Sequence, residues 1–219
     1  MIANQLIQNS YPLVGITDKV GFVLQLIDDY DVLHLPVISE EKFVGLIAKT
    51  DLLDADEQAP VASLQEVFIQ ASVLTDTFFL AALQTITEHE VSLLPVLSPQ
   101  HEVVGTISSQ QLLRTASQFL GNDERGGIIV LEVDRRHFSF GEISRLVETN
   151  DAYITQLNTQ VNQQTGLTTV TIKVNRMEIS DIIATFQRYD YTINHYFGEE
   201  QYANTLKENY HHLMAYLNI

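Results

Sequence analysis

The sequence predicts an α+β chain built from two copies of a β-α-β-β-α unit, a βαββαβ domain and a C-terminal helix. Three observations predict this. First, the stretch "LPVISEEKFVGLIAKTDLL", Leu35 to Leu53, returns about 60 residues later as "LPVLSPQHEVVGTISSQQLL", Leu94 to Leu113. Second, the apolar rhythm changes beyond residue 125 to strands and helices in a new order. Third, the formal net charge of −16 is uneven along the chain. Up to Arg125 there are 17 acidic and 5 basic residues; from Gly126 onward there are 11 and 7.

Within the repeat, Val14 aligns with Val73, Ile27 with Ile86, and Leu35-Pro36-Val37 with Leu94-Pro95-Val96. After one extra residue in the second copy, Val44-Gly45 aligns with Val104-Gly105. A period repeated only twice is too sparse for a solenoid and reads as two copies of one unit packed together. Each copy opens on a short extended piece, "LVGI" or "ASVL". A helix follows, for which Asp18 in copy one and Asp76 or Thr77 in copy two are the expected caps, since a side-chain oxygen there accepts an orphan N–H. Val20, Val23, Leu24 and Ile27 form the apolar stripe of the first helix; Phe79, Leu83 and Ile86 form that of the second. "HLPVI" and "LLPVL" suit buried strands, and "FVGLIA" and "VVGTIS" follow as their partners. A second helix is expected to begin near Asp51 or Gln111. Residues 1–9 read as a short helix leading in.

The remainder alternates differently. "GIIVLEV" is a strand, and Ser139 with Glu142 has the spacing of a capping box ahead of a helix. "AYITQLNTQV" and "LTTVTIKV" form a hairpin around "NQQTG". Asn175 with Glu178 suggests a second capping box, and "YTINHYF" is a last strand. The order is that of the ferredoxin-like split βαββαβ arrangement. From Glu199 on, Tyr202, Leu206, Tyr210, Leu213 and Leu217 fall on one helical stripe.

On the strength of the "LPV" strand, "VGLIAKTDLL" and "VGTISSQQLL", the two copies resemble a pair of CBS motifs, the tandem modules named after cystathionine beta-synthase. The pair would span 1–125, with repeat one at about 1–58 and repeat two at about 59–120. The segment 126–198 resembles an ACT domain, a small regulatory βαββαβ unit, with 199–219 as the tail helix. Together they resemble the acetoin-utilisation B-type regulatory proteins. The resemblance implies a ligand-sensing regulator that forms a homodimer and acts on a metabolic enzyme or transporter. It also implies two clefts in which AMP, ATP or S-adenosylmethionine would bind as a regulatory ligand; no permanent cofactor is implied.

The family signature is G-x-x-[ST]-x-x-D. The glycine permits close backbone approach. The hydroxyl can donate to a ligand oxygen, and the carboxylate accepts from vicinal ribose hydroxyls in charge-assisted bonds. Here the signature is divided. Copy one runs from Gly45 through Ala48 to Asp51, keeping the carboxylate and losing the hydroxyl. Copy two runs from Gly105 through Ser108 to Gln111, keeping the hydroxyl and losing the carboxylate. The candidate ligand-binding residues are therefore Asp51, Lys49 near a phosphate, Ser108, Gln111, and Thr17 in the turn before the first helix. Asp51 has a second reading as a helix-start carboxylate. The ACT-like half has Asp134-Arg135-Arg136-His137-Phe138 where amino-acid-binding members carry D-x-P-G. His137 and Phe138 would crowd such a site, so dimerisation is its expected role. The alternative for the whole chain is a scaffold that has lost small-molecule binding.

Other classes are disfavoured. So acidic a surface repels nucleic acid, whose affinity rests mostly on phosphate contacts. There is no P-loop, G-x-G-x-x-G or G-x-S-x-G run, and "HEVSL" lacks the second histidine of H-E-x-x-H. His211 and His212 are adjacent and would point to different faces of a helix. Without cysteine there is no disulfide or thiolate metal site. No catalytic activity and no membrane insertion are expected. The start lacks a basic-then-apolar export pattern, and a cytoplasmic location is expected.

Overall fold

The computed structural model describes residues 1–8 and 10–199. It divides into one unit spanning Met1–Ser117 and another beginning at Gln118. The expected tail helix falls on residues outside the described ones, apart from Glu199.

In the first unit, copy one contains β1 (Val14–Gly15), α1 (Val20–Asp29), β2 (His34–Ser39), β3 (Lys42–Ala48) and α2 (Lys49–Leu53). Copy two contains β4 (Val73–Leu74), α3 (Phe79–Glu88), β5 (Leu93–Leu97), β6 (Val103–Ser108) and α4 (Ser109–Phe119). The two three-stranded sheets have matching orders, β1-β2-β3 and β4-β5-β6. Each begins with a parallel pair and ends with an antiparallel one. The register breaks at the same place in both: after Val37, opposite Gly45, and after Val96, opposite Gly105. The β-α-β-β-α reading of the repeat is therefore what the chain adopts.

The copies interlock through their cores. Leu46 of β3 is fully buried among Phe79, Ile86, Leu94 and Ile107 of copy two. Leu93 of β5 is fully buried among Val20, Ile27, Leu35 and Ile47 of copy one. Each such side chain contributes about 1.5–3 kcal/mol by leaving water, so neither copy completes its core alone.

Several local expectations are corrected. The lead-in is not a helix of residues 1–9 but a single 3₁₀ turn, Ala3–Gln5, between bridges from Ile2 to Phe78 and from Gln8 to Thr106. Its Ala3 and Leu6 are buried in the core of copy two, so tertiary packing sets its conformation. Asp18 does not cap α1. Its carboxylate accepts the Gly15 N–H at 2.7 Å within the preceding turn. The first N–H groups of α1 instead donate to distant backbone, Val20 to the Ala59 carbonyl and Gly21 to the Glu57 carbonyl, both at 3.0 Å. At α3 the cap position falls on Phe78, and Phe79 N–H donates to the Met1 carbonyl. Backbone brought in from elsewhere has replaced the caps that the side chains offered.

The second unit contains β7 (Ile128–Asp134), α5 (Phe140–Glu148), β8 (Ile154–Val161), β9 (Leu167–Val174), α6 (Ser180–Arg188) and β10 (Thr192–Phe197). Its antiparallel sheet has the order β10-β7-β9-β8, the ferredoxin-like arrangement. Burial alternates along β7, where Ile129, Leu131 and Val133 join Ile143, Leu146, Ile182 and Phe186 in one core. Half of the first capping box forms: Ser139 Oγ accepts the Glu142 N–H at 3.3 Å. The Glu142 carboxylate instead accepts the Tyr191 hydroxyl at 3.0 Å. The second box is absent. Asn175 Oδ1 accepts the Tyr153 N–H, and Glu178 accepts from Ser180.

Candidate functional site

Strand β3 runs directly into α2 with no intervening loop. The half-buried Asp51 is thereby held in the first turn of α2, while the buried Leu52 anchors the helix. Among the described residues, the Asp51 carboxylate makes no hydrogen bond. The first N–H groups of a helix have no partner within it, and those of α2 do not claim this side chain.

Lys49 shares that turn. Its N–H donates to the Leu33 carbonyl at 2.8 Å, and its ammonium pairs with Asp28 Oδ1 at 2.6 Å. Both partners are partly exposed, and such pairs are worth about 0–1 kcal/mol. Thr17 is exposed in the turn between β1 and α1. Asp51, Lys49 and Thr17 thus all belong to copy one.

Ser108 and Gln111 belong to copy two, where they are joined to one another. Ser108, only 8% exposed, accepts the Gln111 N–H at 3.2 Å and so caps α4. Its hydroxyl donates to Gln8 Oε1 at 2.9 Å.

Three residues that the sequence reading passed over complete the picture: Gln8, His34 and Ser92. His34, at the start of β2, is 9% exposed. Its Nδ1 accepts the Ser92 N–H at 3.1 Å, so the neutral ring carries its proton on Nε2. Ser92 Oγ in turn accepts the N–H groups of Leu33 and His34, both at 3.1 Å. This latch joins the first residue of β2 to the residue preceding β5. Burial pushes the His34 pKa below its ordinary 6.5, and the Asp51 carboxylate opposes that shift. The charge that acts on the latch histidine is therefore that of the candidate ligand carboxylate. The repeat alignment held a signal: His34 stands opposite Leu93, and Ser92 opposite Leu33. Each is a polar side chain where the other copy has leucine.

In the second unit a cavity of 390 Å³ opens beside Glu132, Asp134, His137, Glu142 and Tyr191. Tyr191 is pushed up to about 12, first by burial and then by its bond to Glu142. Asp134 is held at about 2 by the Arg136 side chain and N–H. Phe138 turns inward to pack against the core and does not crowd the opening, whereas His137 lines it.

Residues 3–58 match the family model of the CBS domain. A CBS domain pair/ACT domain protein from Thermotoga maritima is similar to this chain, with 23% identity and a TM-score of 0.52 over 55% of this chain and 99% of that one. The CBS domains of a transcriptional regulator from Streptococcus pneumoniae are 18% identical, with a TM-score of 0.47 over 52% of this chain and 98% of that one. A putative acetoin utilization protein from Vibrio cholerae is 18% identical, with a TM-score of 0.47 over 57% of this chain and 98% of that one. The matched first copy and the second copy built on its plan give the first unit the fold of a CBS pair. The second unit adds a ferredoxin-like βαββαβ domain. Among the described residues, no helix is long and apolar enough to cross a membrane.

Proposed function

We propose that the chain is a regulatory, ligand-sensing protein whose first cleft, the one holding Asp51, takes an adenosyl ligand such as AMP, ATP or S-adenosylmethionine. The observation that carries this reading is the Asp51 carboxylate itself: half-buried, fixed in the first turn of α2 and without a hydrogen bond among the described residues. A carboxylate so placed retains the acceptor capacity that vicinal hydroxyls require. Lys49 lies in the same turn, and its weak surface pairing with Asp28 leaves it available to a phosphate. A ligand that favours one arrangement of the two copies would act through the His34–Ser92 latch beside Asp51, since only differential affinity shifts a conformational equilibrium.

The ferredoxin-like unit serves in dimerisation on this reading. Its outer strands β8 and β10 each pair with one neighbour among the described residues, leaving edges that a second copy can extend. The location proposed is cytoplasmic, with a metabolic enzyme or transporter as the regulated partner.

Thermal shift and calorimetry with the three ligands test the reading. At 100 times its dissociation constant a ligand adds about 2.7 kcal/mol of stability. Asp51→Asn should weaken binding about 10- to 100-fold, as expected for a charged hydrogen-bond partner. No shift with any ligand at millimolar concentration would remove the ligand role. The alternative, a scaffold without ligand chemistry, draws support from the internal pairing of Ser108 with Gln8 and of Lys49 with Asp28. It requires an oligomer in sedimentation and no small-molecule response.

A further inference from the structure

The two copies place a neighbouring segment against equivalent positions of their last strands. In copy one, Leu46 of β3 exchanges two backbone hydrogen bonds with Ile69, both at 2.9 Å. In copy two, the residue equivalent to Leu46 is Thr106 of β6, and its partner is Gln8. Gln8 N–H donates to the Thr106 carbonyl at 2.8 Å, and Thr106 Oγ1 donates to the Gln8 carbonyl at 3.2 Å. The backbone plan is shared, but the side chains differ as matched pairs. At β3 of copy one the equivalent residues are Ile69 on the neighbouring segment and Ala48 on the strand, both apolar. Copy two has Gln8 with Ser108, joined by a hydrogen bond of 2.9 Å. Two polar residues have replaced two apolar ones together.

That pairing accounts for the divided signature. A buried hydroxyl needs a partner, and Ser108 has two inside its own unit: it donates to Gln8 and accepts from Gln111 N–H. We infer that Gln8 closes the second cleft, its amide oxygen taking the Ser108 hydrogen that a ligand oxygen would otherwise take, so that one ligand binds per chain, in the first cleft. Gln8 is thus a specificity-determining residue of copy two. Gln111 completes the closure by offering one neutral amide oxygen where a carboxylate would offer two charged ones to the vicinal ribose hydroxyls. The inference rests on the ligand reading for Asp51.

Calorimetric titration of the full chain with AMP, ATP and S-adenosylmethionine counts the sites. The wild type should bind one ligand per chain. Gln8→Ala combined with Gln111→Asp should bind two, and adding Ser108→Ala should return the count to one. If the alanine variant does not fold, Gln8→Ser with Gln111→Asp replaces it, because serine is too short to reach Ser108. Two sites in the wild type, or one site in a folded double variant, would overturn the closure. If the wild type binds none of the three, the Asp51 reading fails by itself. The double variant then decides alone: a site that Ser108→Ala abolishes supports the closure, and no site overturns it.

Discussion

At the residue scale, Gly45 is the glycine of copy one with the least room for a side chain. Its φ of +151° is one that side chains rarely adopt, and a Cβ added there would lie 2.6 Å from the Phe68 Cβ. Gly45→Ala should therefore lower the free energy of urea unfolding by about 2–5 kcal/mol, combining backbone strain with overpacking. A change below about 0.5 kcal/mol, the level of an ordinary surface substitution, would show that the contact relaxes freely. His34 gives a pH dependence of definite sign. Its folded-state pKa is lowered from 6.5 by burial, so the unfolded chain takes up the proton first as the pH falls. The stability involved is whole above 6.5 and is lost as the pH falls through the lower folded-state value. Between pH 7.5 and 5.5 the wild-type urea midpoint should fall more than that of His34→Asn, which keeps an acceptor near Nδ1 but has no proton to gain. Equal slopes would remove His34 from the pH response.

At the element scale, the fold was legible where a pattern repeats along the chain and illegible where a partner lies far from it in sequence. The alternation of β7 and the apolar "LPV" strands announce themselves locally, and so does Asp51, seven residues into a run that begins at Gly45. The helix ends do not. Asp18 and Asp76 have the chemistry of caps, yet α1 is capped by the carbonyls of Glu57 and Ala59, and α3 by that of Met1. Gln8 and Ser108 lie 100 residues apart, so no local pattern could join them. The N-terminal segment shows the same override: its 3₁₀ turn is held by what Ala3 and Leu6 bury. Leu6, 8% exposed, sits in the core of copy two. Leu6→Ala should cost about 2–5 kcal/mol, a penalty outside the range of a loosely attached leader. Ser139→Ala should cost about 1 kcal/mol by removing the one side-chain cap that α5 has. Urea unfolding of each variant against wild type reads both values.

At the scale of the whole molecule, charge sets the response to salt. The chain carries a formal net charge of −16. Opposite charges are seldom paired: among the described residues the ion pairs are Lys49 with Asp28 and Arg136 with Asp134. In each pair one side chain is more than half exposed, so each contributes little that salt could remove. The larger electrostatic contribution is repulsion among unpaired carboxylates, which disfavours the compact state and is screened as the Debye length falls from about 30 Å at 0.01 M to about 3 Å at 1 M salt. Screening the repulsion therefore outweighs weakening the pairs. The melting temperature should rise between 10 mM and 500 mM sodium chloride, as read by far-ultraviolet circular dichroism. The gain should be complete with sodium chloride and should not require sulfate, because sulfate also strengthens apolar burial and would raise the melting temperature of an uncharged chain. A melting temperature that falls with sodium chloride would mean that attractive pairs, not net repulsion, dominate the surface.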